Sequence, residues 1–208
     1  MSSMRSRTLD GMAKTAPFTL DAAEIVDAAA GLLYEQGLAG VTMRSVAARL
    51  GVSSMPIYNR FANKNALLDA LAEHVFSDVA PTPQAGEAWP RYAARWARSL
   101  RAKLRTLPDG APGLLTLSGS REGFTAASRP LMAALQAGGL TVTDGVRICR
   151  MLTWTTIAIT LMGCRNESDD ELHPHANHIT ADEADELFDL QLRLLLQGLA
   201  GEHPAAAG

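Results

Sequence analysis

Cysteine is scarce in this chain: Cys149 and Cys164 are the two present, and both sit among apolar residues. Two such thiols do not make a disulfide framework, and apolar neighbours suppress the thiolate that a redox switch needs. Aromatic residues are only 5% of the 208 positions. Histidine is missing between His74 and His173, and acidic residues are missing between Glu35 and Asp69. No apolar run follows Arg5, Arg7 and Lys14, so the N-terminus is no secretory signal, and a cytoplasmic protein is expected. The most apolar stretch is interrupted by Arg147 and Arg150 and is too short to span a bilayer, so no membrane partner is expected. There is no Ser-His-Asp spacing, phosphate loop or pair of carboxylates in apolar context, which argues against an enzyme. Strand alternation and internal repeats are absent as well. What remains is a chain with 47% apolar residues and a net charge of −3, long enough for a small domain and a larger second one.

The informative stretch is TMRSVAARLGVSSMPIYNRFANK, from Thr42 to Lys64. Before it, Ile25, Ala28, Ala29, Leu32 and Leu33 recur at helical spacing after Asp21, with Glu24 placed for a capping box and Gly37 placed to end the helix. Thr42 then caps a second helix, with Val46, Ala47 and Leu50 facing inward. Gly51 turns the chain, Ser53 caps a third helix, and Pro56 lies within its first turn, where a missing N–H costs little. Ile57 and Phe61 anchor that helix, while Met55, Tyr58, Asn59 and Arg60 project outward together. Lys64 opens a fourth helix through Leu67, Leu68, Leu71 and Val75. Two short helices across a tight turn, the second with an outward polar face, form the pattern that lays a helix in the DNA major groove. The basic residues Arg44, Arg49, Arg60 and Lys64 stand in the acid-free window and suit a phosphate-facing surface.

The chain resembles the tetracycline-repressor (TetR) family of bacterial transcription regulators. The resemblance is carried by AAxxLLxxxG ending at Gly37, by TMRSVAARLGVS and by IYNRFANKNALLDAL. It implies an all-α homodimer with an N-terminal three-helix helix-turn-helix domain and a larger C-terminal domain for ligand binding and dimerisation. It further implies a repressor that binds a palindromic double-stranded operator and is released by a small-molecule effector. By the same resemblance Arg44 matches a base-touching position, and Ser54, Met55, Pro56, Tyr58, Asn59 and Arg60 match the recognition helix. Tyr58 and Lys64 match phosphate-gripping positions, and Thr42 can hold phosphate through its hydroxyl. Met55 or Pro56 suits a thymine methyl. The expected organisation is an arm over residues 1–17, which can enter a minor groove or remain inert, a DNA-binding unit over 18–64, and an effector and dimerisation unit over 65–208.

Beyond residue 77 the chain reads as helices broken at Pro81-Thr82-Pro83, Pro108 to Gly113, Gly138-Gly139 and Arg165 to Thr180. A helix from Trp89 to Leu107 carries Arg91, Arg95, Arg98, Arg101 and Arg105 as one basic stripe, read as a solvated outer face. The helix from Thr143 to Met162 has almost no polar face and must be buried on all sides, which a second subunit can supply. With the helix from Asp182 to Leu199, whose Leu187, Leu190, Leu194 and Leu195 share a face, it forms the expected four-helix dimer bundle.

GEAWPRYAARWARSLRAKL and the Pro108-to-Ala111 turn resemble the C-terminal domain of the tetracycline-repressor class more weakly. That class holds a magnesium–drug chelate through an Asn and a His. Here Arg95 and Trp96 stand near the first position and Gly113 and Leu114 near the second, so an apolar or aromatic effector is expected instead. Trp96, Leu100, Leu114, Leu117, Met132, Met151, Trp154 and Thr155 are candidates to line its pocket, although plain core packing suits the same residue types. No cofactor is expected.

Two alternatives stay open. One is a DNA-binding protein that answers to no ligand. The other is a metal- or redox-responsive regulator, using His173, His175 and His178 with Asp169, Asp170 and Glu171, or the two cysteines. Imidazoles and carboxylates at that density suit zinc or nickel, but the polar setting and Pro174 favour a connecting loop over a metal site.

Overall fold

In the computed structural model, residues 20–108, 111–117, 125–163 and 179–202 are described, and all regular structure among them is helical. The expected arm over 1–17 and the His173, His175 and His178 segment lie outside these residues. The order is α1 (Ala22–Gly40), α2 (Met43–Arg49), α3 (Ser54–Arg60), α4 (Lys64–Val75), α5 (Trp89–Arg105), a 3-10 turn (Ala111–Gly113), α6 (Leu114–Leu117), α7 (Thr125–Ala137), α8 (Val142–Gly163) and α9 (Ala181–Glu202).

Local chemistry sets the first four helices. The Glu24 carboxylate accepts the Asp21 N–H at 3.0 Å, holding the entrance of α1. Gly37, at φ 69°, breaks the helical path before the segment ends. The Thr42 hydroxyl accepts the Ser45 N–H at 3.0 Å, and the Ser45 hydroxyl donates to the Gly40 carbonyl at 2.6 Å. Gly51, at φ 68°, makes the turn, and the Val52 N–H donates back to the Ala47 carbonyl at 3.0 Å.

Ser53 occupies the N-cap position of α3 but makes no side-chain cap bond. The third helical residue is Pro56, so the amide that such a hydroxyl would normally receive is missing. Asn63 caps α4 instead, accepting the Ala66 N–H at 2.9 Å.

A single buried apolar cluster runs from Leu20 in front of α1 through Phe76 and Trp89 to Leu196 of α9. In it α5 contributes Trp89, Tyr92, Trp96, Leu100 and Leu104. Trp96 ties α5 to α7, its Nε1–H donating to the Ala127 carbonyl at 2.8 Å.

The basic stripe of α5 is solvated at Arg91, Arg98 and Arg105, which are exposed, but it also reaches α9: Arg98 pairs with Asp189 at 2.9 Å, while Arg101, largely buried, and Arg105 pair with Asp185 at 2.7 and 3.1 Å. Arg101 also lies 4.6 Å from the Phe188 ring centre. Arg95 instead binds Glu87 at 2.8 Å. Three of the five arginines, Arg98, Arg101 and Arg105, thus meet carboxylates of α9 that come from far along the chain.

Helix α8 is buried on one side only in the single chain. Inward it presents Ile148, Cys149, Leu152 and Ile157, but also Thr153, Thr156 and Thr160. The Thr153 and Thr160 hydroxyls donate to carbonyls one turn back, at 2.8 and 2.6 Å, which satisfies them without another helix. Outward it presents Val142, Val146, Met151, Trp154, Leu161 and Met162. Leu187, Leu190 and Leu194 of α9 are likewise exposed, and Met151 and Leu194 line one groove between the two helices. No helix among the described residues is long and apolar enough to cross a membrane.

Candidate nucleic-acid interface

Ile57 is fully buried and Phe61 nearly so, which seats α3 on the core through one narrow face. The opposite face is open: Met55 is 68% and Tyr58 51% exposed, and Asn59 and Arg60 are exposed beside them. Ser54 and Pro56 are half-buried at the start of the helix. Arg44, in the first turn of α2, and Lys64, at the start of α4, are exposed, and Thr42 is half-buried by its capping role. The nine residues named from the sequence for DNA therefore fall on α3 and the helix starts that flank it.

The basic residues are not equivalent. Arg49 makes a two-pronged ion pair with Glu35 of α1, at 2.7 and 2.8 Å. Its guanidinium lies so close to α1 that a Cβ on Gly31 would stand 2.7 Å from Nη2. The hydrogen bond to Arg49 holds the Glu35 carboxyl below its usual range. Glu35 thus cancels Arg49, and the local excess carried by the four residues falls to Arg44, Arg60 and Lys64, to which the described residues offer no ion pair.

Arg60 is held as well, by a different group. Its Nε–H donates to the Leu20 carbonyl at 2.8 Å, a neutral acceptor that leaves its charge intact. This bond links the end of α3 to the entrance of α1. Neither contact was visible in the sequence, because the partners lie 14 and 40 residues away. His74 of α4 approaches Asp27 of α1 at 3.7 Å, with both side chains well exposed.

Among the described residues, those named for an effector pocket range from the core to the outer face of α8. Trp96, Leu100 and Leu114 are fully buried in the core. Met132 and Thr155 are half-buried, with the Thr155 hydroxyl donating to the Met151 carbonyl at 2.7 Å. Met151 and Trp154 are exposed on the outer face of α8, Trp154 at 68%. The Leu117 side chain lies outside the described set.

The metal alternative rests on His173, His175 and His178 with Asp169, Asp170 and Glu171, which lie outside the described residues. Among the described residues no three His, Cys, Asp or Glu side chains gather as a metal would require. Burial pushes the Cys149 thiol up to about 11, against weaker opposing hydrogen bonds from Thr153 and Ser128. Cys164 lies outside the described residues.

The model for bacterial regulatory proteins of the tetR family matches residues 25–71, the stretch that contains this interface. The tetracycline repressor class A from transposon 1721 of Escherichia coli is 33% identical over 150 residues, covering 70% of this chain and 68% of that protein. Class D of Escherichia coli is 39% identical over 95 residues, covering 44% of this chain and 43% of that one. Among solved structures, BioQ of Mycobacterium smegmatis superposes with a TM-score of 0.68 at 28% identity, covering 88% of this chain and 99% of that one. A second BioQ structure, with its double-stranded DNA operator, gives a TM-score of 0.65 at 28% identity and covers 87% and 98%. The helix-turn-helix geometry, the all-helical architecture and these likenesses agree: the chain belongs to the tetR family of bacterial regulatory proteins.

Proposed function

We propose that this protein is a repressor that binds a palindromic operator as a homodimer and releases it when a small, apolar or aromatic effector binds. The observation that carries the reading is the α3 face. Met55, Tyr58, Asn59 and Arg60 stand exposed on a helix fixed from behind by Ile57 and Phe61, with Arg44 and Lys64 beside it. In this reading α3 enters the major groove. Met55 and Pro56 present apolar surface to a thymine methyl, and Arg44 and Arg60 reach bases or phosphate. Thr42, Ser54, Tyr58, Asn59 and Lys64 fix the register on the backbone. The exposed faces of α8 and α9 support the dimer, since an apolar patch of this kind on a soluble chain needs a cover. The likeness to BioQ, one of whose structures holds its DNA operator, supports the DNA partner, and the tetracycline repressors support an effector.

Residues 18–64 would serve DNA, and 65–208 the effector and the dimer. Two recognition helices must sit about 34–36 Å apart to enter successive major grooves on one side of the duplex. The unbroken apolar cluster from α1 to α9 lets a change in the C-terminal half reach α4 and alter that separation. An effector that binds one separation more tightly than the other then shifts the population off DNA.

Operator selection from random duplexes, followed by gel-shift titration of variants, tests the interface. Arg44→Ala and Arg60→Ala should weaken binding and relax specificity, at about 1–3 kcal/mol for a base contact. Lys64→Ala should weaken all sequences alike. Unchanged operator affinity in both arginine variants would remove α3 from its assigned role.

A further inference from the structure

The arm over residues 1–17 joins α1 through Leu20, and the place of Leu20 is fixed. Its side chain is buried in the core, and its carbonyl accepts the Arg60 Nε–H at 2.8 Å. Arg60 is the last residue of α3 and is exposed. The entrance of α1 is thereby pinned to the end of the recognition helix. The root of the arm stands at the edge of the DNA interface rather than on a remote face. The arm carries Arg5, Arg7 and Lys14 against a single acid, Asp10, in a chain whose net charge is −3. Asp21 and Glu24, exposed at the same entrance, repel phosphate. Any contact with DNA on this side therefore falls to the basic residues of the arm itself.

Reach decides what those residues can meet. At no more than about 3.3–3.6 Å per residue, Lys14 can stand up to ~20 Å from Leu20 and Arg7 up to ~45 Å. Along the duplex, the neighbouring minor groove lies half a turn, about 17 Å, from the major groove that α3 would enter. Lys14 can therefore meet the phosphates between the two grooves, and Arg5-Ser6-Arg7 can pass into the minor groove. That groove is only about 6 Å wide, so it admits a single chain and not a helix. Its negative potential is strongest where it narrows over A·T pairs, and inserted arginines are favoured there.

We propose that the arm is a second DNA-reading element: Arg5 and Arg7 enter the minor groove beside each half-site, and Arg60 seats the arm by holding Leu20. The proposal rests on the operator-binding reading above. It gives Arg60 two tasks, since Nε positions the arm while the remaining guanidinium N–H groups face DNA. It also makes operator choice depend on A·T pairs outside the bases that α3 covers.

The test titrates the selected operator by gel shift against the full chain and against the double variant Arg5→Ala/Arg7→Ala. The duplex is made twice, once with adenine and once with 2,6-diaminopurine throughout. Diaminopurine adds an amino group in the minor groove and leaves the major-groove edge of adenine as it was. The full chain should bind the adenine duplex roughly tenfold more tightly than the double variant. Diaminopurine should cost the full chain about three- to tenfold more than it costs the variant. Arg60→Lys keeps a charge at the end of α3 but lacks the Nε–H that Leu20 receives, so in that background the loss from Arg5→Ala/Arg7→Ala should shrink. Equal affinity of the full chain and the double variant, or equal diaminopurine penalties in the two, would overturn the minor-groove contact. Losses that add in full with Arg60→Lys would overturn the seating by Arg60. Failure of the full chain to bind any duplex would overturn the operator-binding reading and this one with it, whereas the other outcomes bear on the arm alone.

Discussion

Arg44 and Arg49 are both arginines of α2, five positions apart, yet they stand in opposite electrostatic situations. Arg49 spends its charge on Glu35 through two short hydrogen bonds, while Arg44 faces outward from the first helical turn. A salt titration of operator binding should separate them. Each phosphate contact contributes a slope of about −0.9 in log K against log salt. Lys64→Ala should flatten the slope by about one such unit, whereas Arg49→Ala should leave it nearly unchanged. A loss from Arg49→Ala equal to that from Lys64→Ala would show that the Glu35 pair opens on DNA. Arg60 belongs to neither case, since its Nε–H is committed to the Leu20 carbonyl and the rest of its guanidinium carries the charge.

Among the elements, α2 and α3 are the same length and begin with similar capping residues, but only one cap closes. Thr42 receives the Ser45 N–H, whereas Ser53 faces Pro56, which has none to give. Thr42→Ala should therefore cost about 1–2 kcal/mol in urea unfolding. Ser53→Ala should change stability by less than about 0.5 kcal/mol. Placed on Pro56→Ala, the same Ser53→Ala change should become costly, because the restored amide lets the hydroxyl cap. A large effect of Ser53→Ala in the otherwise native chain would contradict this account. In α8 the apolar pattern implied burial on all sides with a second subunit supplying one of them, and the single chain buries the face that carries Thr153, Thr156 and Thr160 and leaves Trp154, Met151, Leu161 and Met162 outside. Threonine tolerates the inner face because its hydroxyl bonds to its own helix. The outer face then fits a second subunit. Trp154→Glu should convert the proposed dimer to monomer in sedimentation velocity and weaken operator binding with it. A dimer that survives both Trp154→Glu and Leu194→Glu would move the interface elsewhere.

At the scale of the whole molecule, α9 is carried by an apolar seam of Phe188, Leu192 and Leu196 and by the arginines of α5. These arginines differ in depth: the Arg101 side chain is 11% exposed, that of Arg98 55%. Arg101→Ala removes a mostly buried cation together with its stacking on Phe188, and should cost about 2 kcal/mol or more. Arg98→Ala, at the surface, should cost less than about 0.5 kcal/mol. Thermal unfolding of the two variants checks the order, and equal losses would mean that the seam is held by its apolar contacts alone.

What could be read directly from the chain was whatever acts within about one helical turn. The Thr42 cap, the turns at Gly37 and Gly51, the inward Ile57 and outward Tyr58, and the apolar spacing of α4 are all set by neighbours three or four positions away. From these the helix-turn-helix followed, while the family rests on the resemblance of TMRSVAARLGVS and IYNRFANKNALLDAL and on the relatives that match. Tertiary structure decided what each long, charged or aromatic side chain meets. Arg49 finds Glu35 across 14 positions, Arg60 finds Leu20 across 40, and Arg98 finds Asp189 across 91. It also decided that Trp96 would be a satisfied core residue, Trp154 a surface one and Trp89 a buried donor without a partner. The physical reason is that helix periodicity fixes which residues share a face, while only the packing of helices fixes what that face is pressed against.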